Sequence, residues 1–421
     1  MKGRKPGLIG AVTAAFLLFS AGVPAQETSW RPLGTSLSAD PQGWAFHPTL
    51  AAAPDGTLYA AWSQHAKPAN WELVGTYVKR WSSGGWQSLG GRVASSPGDP
   101  DGYSWIEGYA PALAVVGTTP YLAWYEGGGY GWGRVQETHF RSVVFVAHWD
   151  GAQWVLDRNP AMLNGALNTG PEAAARTPVL AVAGDMLHAA WIELRRIPVG
   201  AHNAVVVKRL VNGKWLPVGA DLWAGSNPAQ VLILDVALAR VGDVLYVVWS
   251  QWPGGVHVAR WDGTAWTRVG GALNAAPDGY AVNHVAMTGG KGTPYIAWQE
   301  RSPSGNYQLY VKSWTGTAWV SLGASLNRDP VRGEAGRPAL SHDGARLWLG
   351  WTEGGPGERA ALYVRVFSNG AWSGPSRPLN AAPGTAADGP ALAVRNGRPV
   401  VIWAEKNPPP ATKQIYVKEL P

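Results

Sequence analysis

A tryptophan followed two residues later by Glu or Gln recurs seven times along the chain, each time closing a short apolar run. The tryptophans are Trp62, Trp124, Trp191, Trp249, Trp298, Trp351 and Trp403, and the polar residues are Gln64, Glu126, Glu193, Gln251, Glu300, Glu353 and Glu405. A third strand follows, as in Tyr77-Val78-Lys79-Arg80-Trp81. After a tight turn comes a fourth, as in Ala318-Trp319-Val320-Ser321-Leu322-Gly323. The narrowest interval, Trp249 to Trp298, leaves room for four strands of about 5–6 residues with their connections. Four-stranded units repeated radially are the blades of a propeller, and units of this kind bury a core only against their neighbours.

The fourth-strand tryptophan appears six times, at Trp86, Trp154, Trp215, Trp266, Trp319 and Trp372. The chain ends on a third strand, Ile415 to Leu420. The missing fourth strand stands at the other terminus, where Trp30-Arg31-Pro32-Leu33-Gly34 matches Trp319-Val320-Ser321-Leu322-Gly323. The expectation is an all-β, seven-bladed β-propeller whose N-terminal strand completes the last blade and closes the ring. Closure would remove a free sheet edge. Asp-Gly and Asn-Gly turns at Asp55-Gly56, Asp150-Gly151, Asn212-Gly213, Asp262-Gly263, Asn369-Gly370 and Asn396-Gly397 carry the hairpin signal. They place short turns on one face of the disc. Residues 65–76, 91–109, 127–142, 157–176 and 194–203 read as long loops on the other, which makes that face the functional candidate.

Residues 1–25 read as a signal peptide. Lys2, Arg4 and Lys5 precede the apolar run Leu8 to Ala21, and Val23-Pro24-Ala25 fits a cleavage site before Gln26. The mature chain, 26–421, is then a single propeller domain with no transmembrane span, secreted or periplasmic. The absence of Cys excludes a disulfide framework and thiolate chemistry. Removing the leader takes the formal charge from +7 to +4. Lys and Arg are scattered rather than clustered, so nucleic acid is not an expected partner. Nothing resembles a nucleotide loop, a hydrolase elbow or a zinc helix motif, and neither cofactor nor metal is expected.

The Trp-rich repeat, with its Tyr-Val-Lys-x-Trp strand and Gly-x-x-Leu-Asn exit, resembles the propeller repeats of exported bacterial proteins. These lie loosely near the sialidase and kelch propellers. The resemblance covers residues 30–421 and implies the fold. The Ser-x-Asp-x-Gly-x-x-Trp box of sialidases is matched at no turn. The Gly-His partner of Trp-Asp repeats and the kelch double glycine are also missing, so none of those families' activities is implied.

Three residue sets compete as a site. Carboxylates at the ends of the second strands could in principle hold a metal or protonate a glycoside. The favoured reading pairs them across the strand with Lys79, His148, Lys208, Lys312, Arg365 and Lys418; Ala259 and the neutral Gln251 share a repeat. A second set is aromatic: Trp44, Trp71, Trp105, Trp132, Trp223 and Trp252, with Tyr103, Tyr109, Tyr130 and Tyr280, all fall on connections assigned to the long-loop face. Exposed aromatics suit the apolar faces of sugar rings. The third set lies where each innermost strand begins, at His47, Ala110, Thr177, Asp235, His284, Arg337 and Gly389, often before Pro. Asp235, His284 and Arg337 stand on consecutive blades, and together they could bind an anion or carboxylate or move a proton. The reading is a non-catalytic binding protein for a glycan or cell-envelope polymer. The alternatives are a glycoside hydrolase or lyase with its site at the channel mouth, and a scaffold for an extracellular protein.

Overall fold

The computed structural model describes residues 29–67, 70–82, 84–94, 109–127, 142–159, 165–170, 173–197, 200–225, 227–275, 280–407 and 412–421. The leader expected over 1–25 lies outside them. Twenty-nine strands and no α-helix are found among the described residues, and no helix there is long and apolar enough to cross a membrane.

Each Trp-x-Glu/Gln motif lies in the second strand of an antiparallel meander. Four sheets hold four strands in simple chain order, and a fifth differs only in having a broken first strand, Glu334–Ala335 and Ala339–His342. The remaining sheet has eight strands and contains the first and last repeats, joined by a parallel bridge between Trp44 and Lys413. Every sheet is open. Arg31 and Pro32 pair with Glu419 and Lys418, and the amides of Leu33 and Leu37 donate to the carbonyls of Val417 and Ile415. The first strands of successive repeats pack side by side, and that of the last, Ala386–Arg395, packs on that of the first, Trp44–Ala52.

The core lies between sheets rather than within one. Buried side chains form seven clusters, each built from two neighbouring repeats; one joins Trp62 and Leu58 to Val400 and Ile402. A sheet of this sequence is apolar on both faces and needs a neighbour on each side. The fourth-strand tryptophans add a polar latch between repeats. The Nε1–H groups of Trp86, Trp154, Trp215, Trp266, Trp319 and Trp372 donate to the carbonyls of Leu33, Leu89, Asp157, Val218, Val269 and Leu322, each on the preceding fourth strand or its exit. In five of the six a glycine follows that carbonyl and lets the indole close over the chain; after Asp157 the residue is Arg158. At Gly219, with φ +69°, a Cβ would lie 2.6 Å from Trp261 and 2.7 Å from Trp266.

Two of the expected long loops are strands instead. Leu58–Lys67 and Asn70–Ser82 stay paired as far as Lys67 and Asn70, and Met186–Ile197 and Gly200–Val211 as far as Ile197 and Gly200. A hairpin end needs only backbone partners, so strand pairing runs past the packed sheet into sequence without a strand-like apolar pattern. Trp71 therefore lies in a strand, not a loop.

Candidate functional site

The ring of Glu and Gln at the second-strand ends is structural. All seven neighbouring indoles donate Nε1–H to it, over 2.6–3.0 Å, from Trp62 to Gln64 through Trp403 to Glu405. The same side chains accept amides from the connection that enters the repeat: Ala39 on Gln64, Thr169 on Glu193, Ala224 on Gln251, Ala275 on Glu300, Arg328 and Asp329 on Glu353, and Ala381 and Ala382 on Glu405. An amide serves as well as a carboxylate here, because Oε1 accepts both donors and the Gln64 Nε2 also donates to the Asp40 carbonyl at 2.7 Å.

The expected cross-strand ion pairs are absent among the described residues. Register explains why. Lys208 stands opposite Ala189, two residues before Trp191, whereas Glu193 lies two residues after it. Alternation puts all three side chains on one face with the indole between the charges. The cations settle over the ring faces instead: Lys79, Lys208, Lys312, Arg365 and Lys418 lie 5.6–5.8 Å from the indole centroids of their own repeats. Lys208, Lys312 and Lys418 also donate to the carbonyls of Leu167, Leu273 and Leu379. In the repeat with Ala259, Arg268 of the fourth strand takes that place, 4.3 Å from the Trp249 centroid.

The third set forms a collar. Pairing between first and second strands slips at the same point in six repeats, between Phe46 and Thr49, Tyr109 and Ala112, Arg176 and Val179, Ile233 and Asp235, Val282 and Val285, and Asp388 and Ala391. In the other repeat the first strand breaks there, around Arg337. These are β-bulges, which re-aim a side chain. His47, Ala110, Thr177 and Gly389 hold φ of 48–55° immediately before proline. A left-handed non-glycine residue costs on the order of 1–3 kcal/mol and persists only where the surroundings over-determine it.

The collar gathers charge from distant parts of the chain. Asp235 accepts the amides of Val236 through Oδ1 and Val285 through Oδ2, both at 3.0 Å, and its Oδ2 lies 3.8 Å from His284 Nδ1. Lys413 Nζ donates to Asp388 Oδ2 at 2.6 Å. Asp388 keeps 59% of its side-chain surface open. Burial among protein atoms works against its ionisation, but Lys413, Arg337 and His47 prevail and hold its carboxyl below the usual range. His47 is enclosed more tightly. Loss of water first, then the charges of Arg337, Lys413 and His284, push it down to about 3 against the opposing pull of Asp388. It is neutral at physiological pH, packs edge-on to Tyr109 at 4.6 Å, and its Nδ1 has no hydrogen-bond partner. His47, Asp235, His284 and Arg337 thus stand at the same end of their sheets, joined there by Asp388 and Lys413.

The aromatic set is dispersed. Trp44 begins a first strand, half-buried, with Lys406 Nζ 5.4 Å from its ring centroid. Trp252 ends a second strand opposite Leu232; the two are 54% and 45% exposed. Trp223 meets the ring of His202 edge-on at 4.8 Å and packs on the core. Tyr109 lies against Phe46, His47 and Tyr125. Trp105, Trp132, Tyr103 and Tyr130 lie outside the described residues, as do the side chains of Trp71 and Tyr280. Among the described residues, no group of three or more His, Cys, Asp and Glu is placed to hold a metal ion.

His257, pushed down to about 4 mainly by burial and then by Arg268, joins His47 as an imidazole that folds neutral. Below about pH 6.5 the unfolded chain takes up protons that these two refuse. Stability is therefore full above pH 6.5 and falls as the pH drops toward 4, by on the order of a few kcal/mol for the pair. Urea midpoints at pH 7 and 4.5 measure this, and His257→Gln should shrink the difference. Equal midpoints would contradict the burial of neutral imidazoles.

No family model matches the chain, and no curated protein does. Among solved structures, a protein of unknown function from Dyadobacter fermentans DSM 18053 superposes with a TM-score of 0.52 at 12% identity, over 93% of this chain and 98% of that one. A Hadza microbial sialidase gives 0.48 at 16% identity, over 73% and 63%. The Aleuria aurantia lectin, solved with α-methyl-L-fucoside, gives 0.46 at 13%, over 82% and 97%. At such identities the likeness is one of architecture alone, and the architecture is all-β.

Proposed function

We propose that residues 26–421 form one seven-bladed ring that follows a signal peptide, and that the exported protein binds a glycan or envelope polymer without catalysis. Ring closure is supported by the pairing of residues 31–37 with the last strand and by Trp86. That indole donates to Leu33 as every other fourth-strand indole donates to its predecessor. Asn396 of the last repeat also packs on Gly56 of the first.

The observation that carries the reading is the end of the axis where the collar opens. Exposed Trp252 and half-buried Trp44 stand at that same end of their sheets, so a polar centre and apolar ring faces share one surface. Carbohydrates present both kinds of surface. The collar carboxylates argue against hydrolysis. A glycosidase needs one carboxyl with a raised pKa as its acid, whereas Asp388 is held ionised by Lys413, and both oxygens of Asp235 accept main-chain amides.

A glycan array with residues 26–421 tests the reading. The wild type should bind, and Trp252→Ala should weaken binding about tenfold, the worth of one aromatic platform, while circular dichroism stays unchanged. A blank array for the wild type would rule out glycan recognition and direct attention to a protein partner.

A further inference from the structure

We propose that the collar takes a ligand carboxylate on the guanidinium of Arg337, so that the polymer recognised is an acidic saccharide carrying uronate groups. The inference rests on the glycan reading above and names its ligand class.

Charge accounting within the collar leads there. Lys413 is bonded to Asp388, His284 stands beside Asp235, and His47 is held neutral. Arg337 alone among these carries a cation with no hydrogen bond or ion pair among the described residues, and its side chain is exposed. Its charge is nevertheless felt at both His47 and Asp388, so the exposed guanidinium stands near both. An exposed cation with no protein partner is open to an anion. A planar five-donor fork suits a carboxylate, which it can hold through two parallel hydrogen bonds.

The second observation is His47. Its Nδ1 is enclosed and unpartnered, and buried polar atoms left without partners are uncommon enough to need an explanation. A neutral imidazole on the strand start neighbouring that of Asp388, and within the field of Arg337, can exchange a hydrogen bond with a sugar hydroxyl or with the carboxylate itself.

The experiment is calorimetric titration of residues 26–421 with oligosaccharides of glucuronate, galacturonate and mannuronate, and with the carboxyl-reduced form of each. The reduced forms keep the ring and linkage and exchange the carboxylate for a hydroxymethyl group. At least one uronate oligomer should bind about tenfold or more tightly than its reduced counterpart, the worth of a charge-assisted contact. Arg337→Gln should abolish that preference, Arg337→Lys should retain part of it, and Trp252→Ala should weaken both forms equally. Equal binding of charged and reduced forms by the wild type would overturn the acidic specificity and leave glycan recognition standing. A preference that survives in Arg337→Gln would remove the collar as its source. Failure of all six compounds to bind would overturn the inference, and only a blank glycan array would overturn the broader reading as well.

Discussion

Deleting residues 26–37 should lower stability by at least about 5 kcal/mol and make the protein aggregate. The figure follows from the loss of buried Leu33 and Leu37, each worth about 2–5 kcal/mol in a packed core. Trp86 would also lose its acceptor at Leu33, and Ile415 and Val417 the amides that their carbonyls accept. The last strand, Lys413–Glu419, would become a free edge, which invites pairing with another chain. Thermal unfolding followed together with light scattering measures both effects. A truncated chain with the wild-type midpoint and no scattering would mean that the N-terminal strand is an appendage and closes nothing.

Trp298→Ala should cost about 3–5 kcal/mol from the cavity alone, a large share of the 5–15 kcal/mol by which a domain is usually stable. The side chain is fully buried, donates to Glu300 at 2.7 Å and carries Lys312 over its ring. Trp298→Phe separates these contributions. The ring survives, but the carboxylate of Glu300, itself buried, loses one donor. Hydrogen bonds to charged groups contribute more than neutral ones, about 1.5–3 against 0.5–1.5 kcal/mol. Trp298→Phe should therefore be costlier than Trp249→Phe, whose acceptor is the neutral Gln251. Urea midpoints for the three variants decide it, and equal losses for the two Phe variants would show that the acceptor's charge contributes nothing.

Much of the architecture can be read from residue spacing because the chain repeats itself. A motif present seven times states its own boundaries, and Asp-Gly or Asn-Gly turns mark the hairpins between them. What could not be read was the offset between partners. Lys208 and Glu193 seem paired when repeats are compared, but alternation places Trp191 between them, and the lysine's partner is the Leu167 carbonyl of the Leu-Asn exit, a backbone group that no residue type announces. The collar follows the same division. Counting back from the prolines finds His47, Asp235, His284 and Arg337. Asp388 stands one residue before its equivalent position, and Lys413 comes from the third strand of the same repeat, where it pairs with Lys406. The hairpins that replace the loops at 65–76 and 194–203 extend by backbone pairing, which hydropathy does not register.

The bulged collar has one more consequence. Its seven positions occupy corresponding places on the first strands, four of them in the same left-handed backbone, yet they carry His47, Ala110, Thr177, Asp235, His284, Arg337 and Gly389. Two small, uncharged residues are adjacent, on the second and third repeats; the titratable and charged ones stand on the fourth, fifth, sixth and first, and on the seventh the charge is carried by Asp388 beside Gly389. In the ring proposed above, these positions would enclose an opening polarised from one side to the other. A ligand entering along its axis would then meet one favourable heading, so orientation would be selected before any shape is fitted.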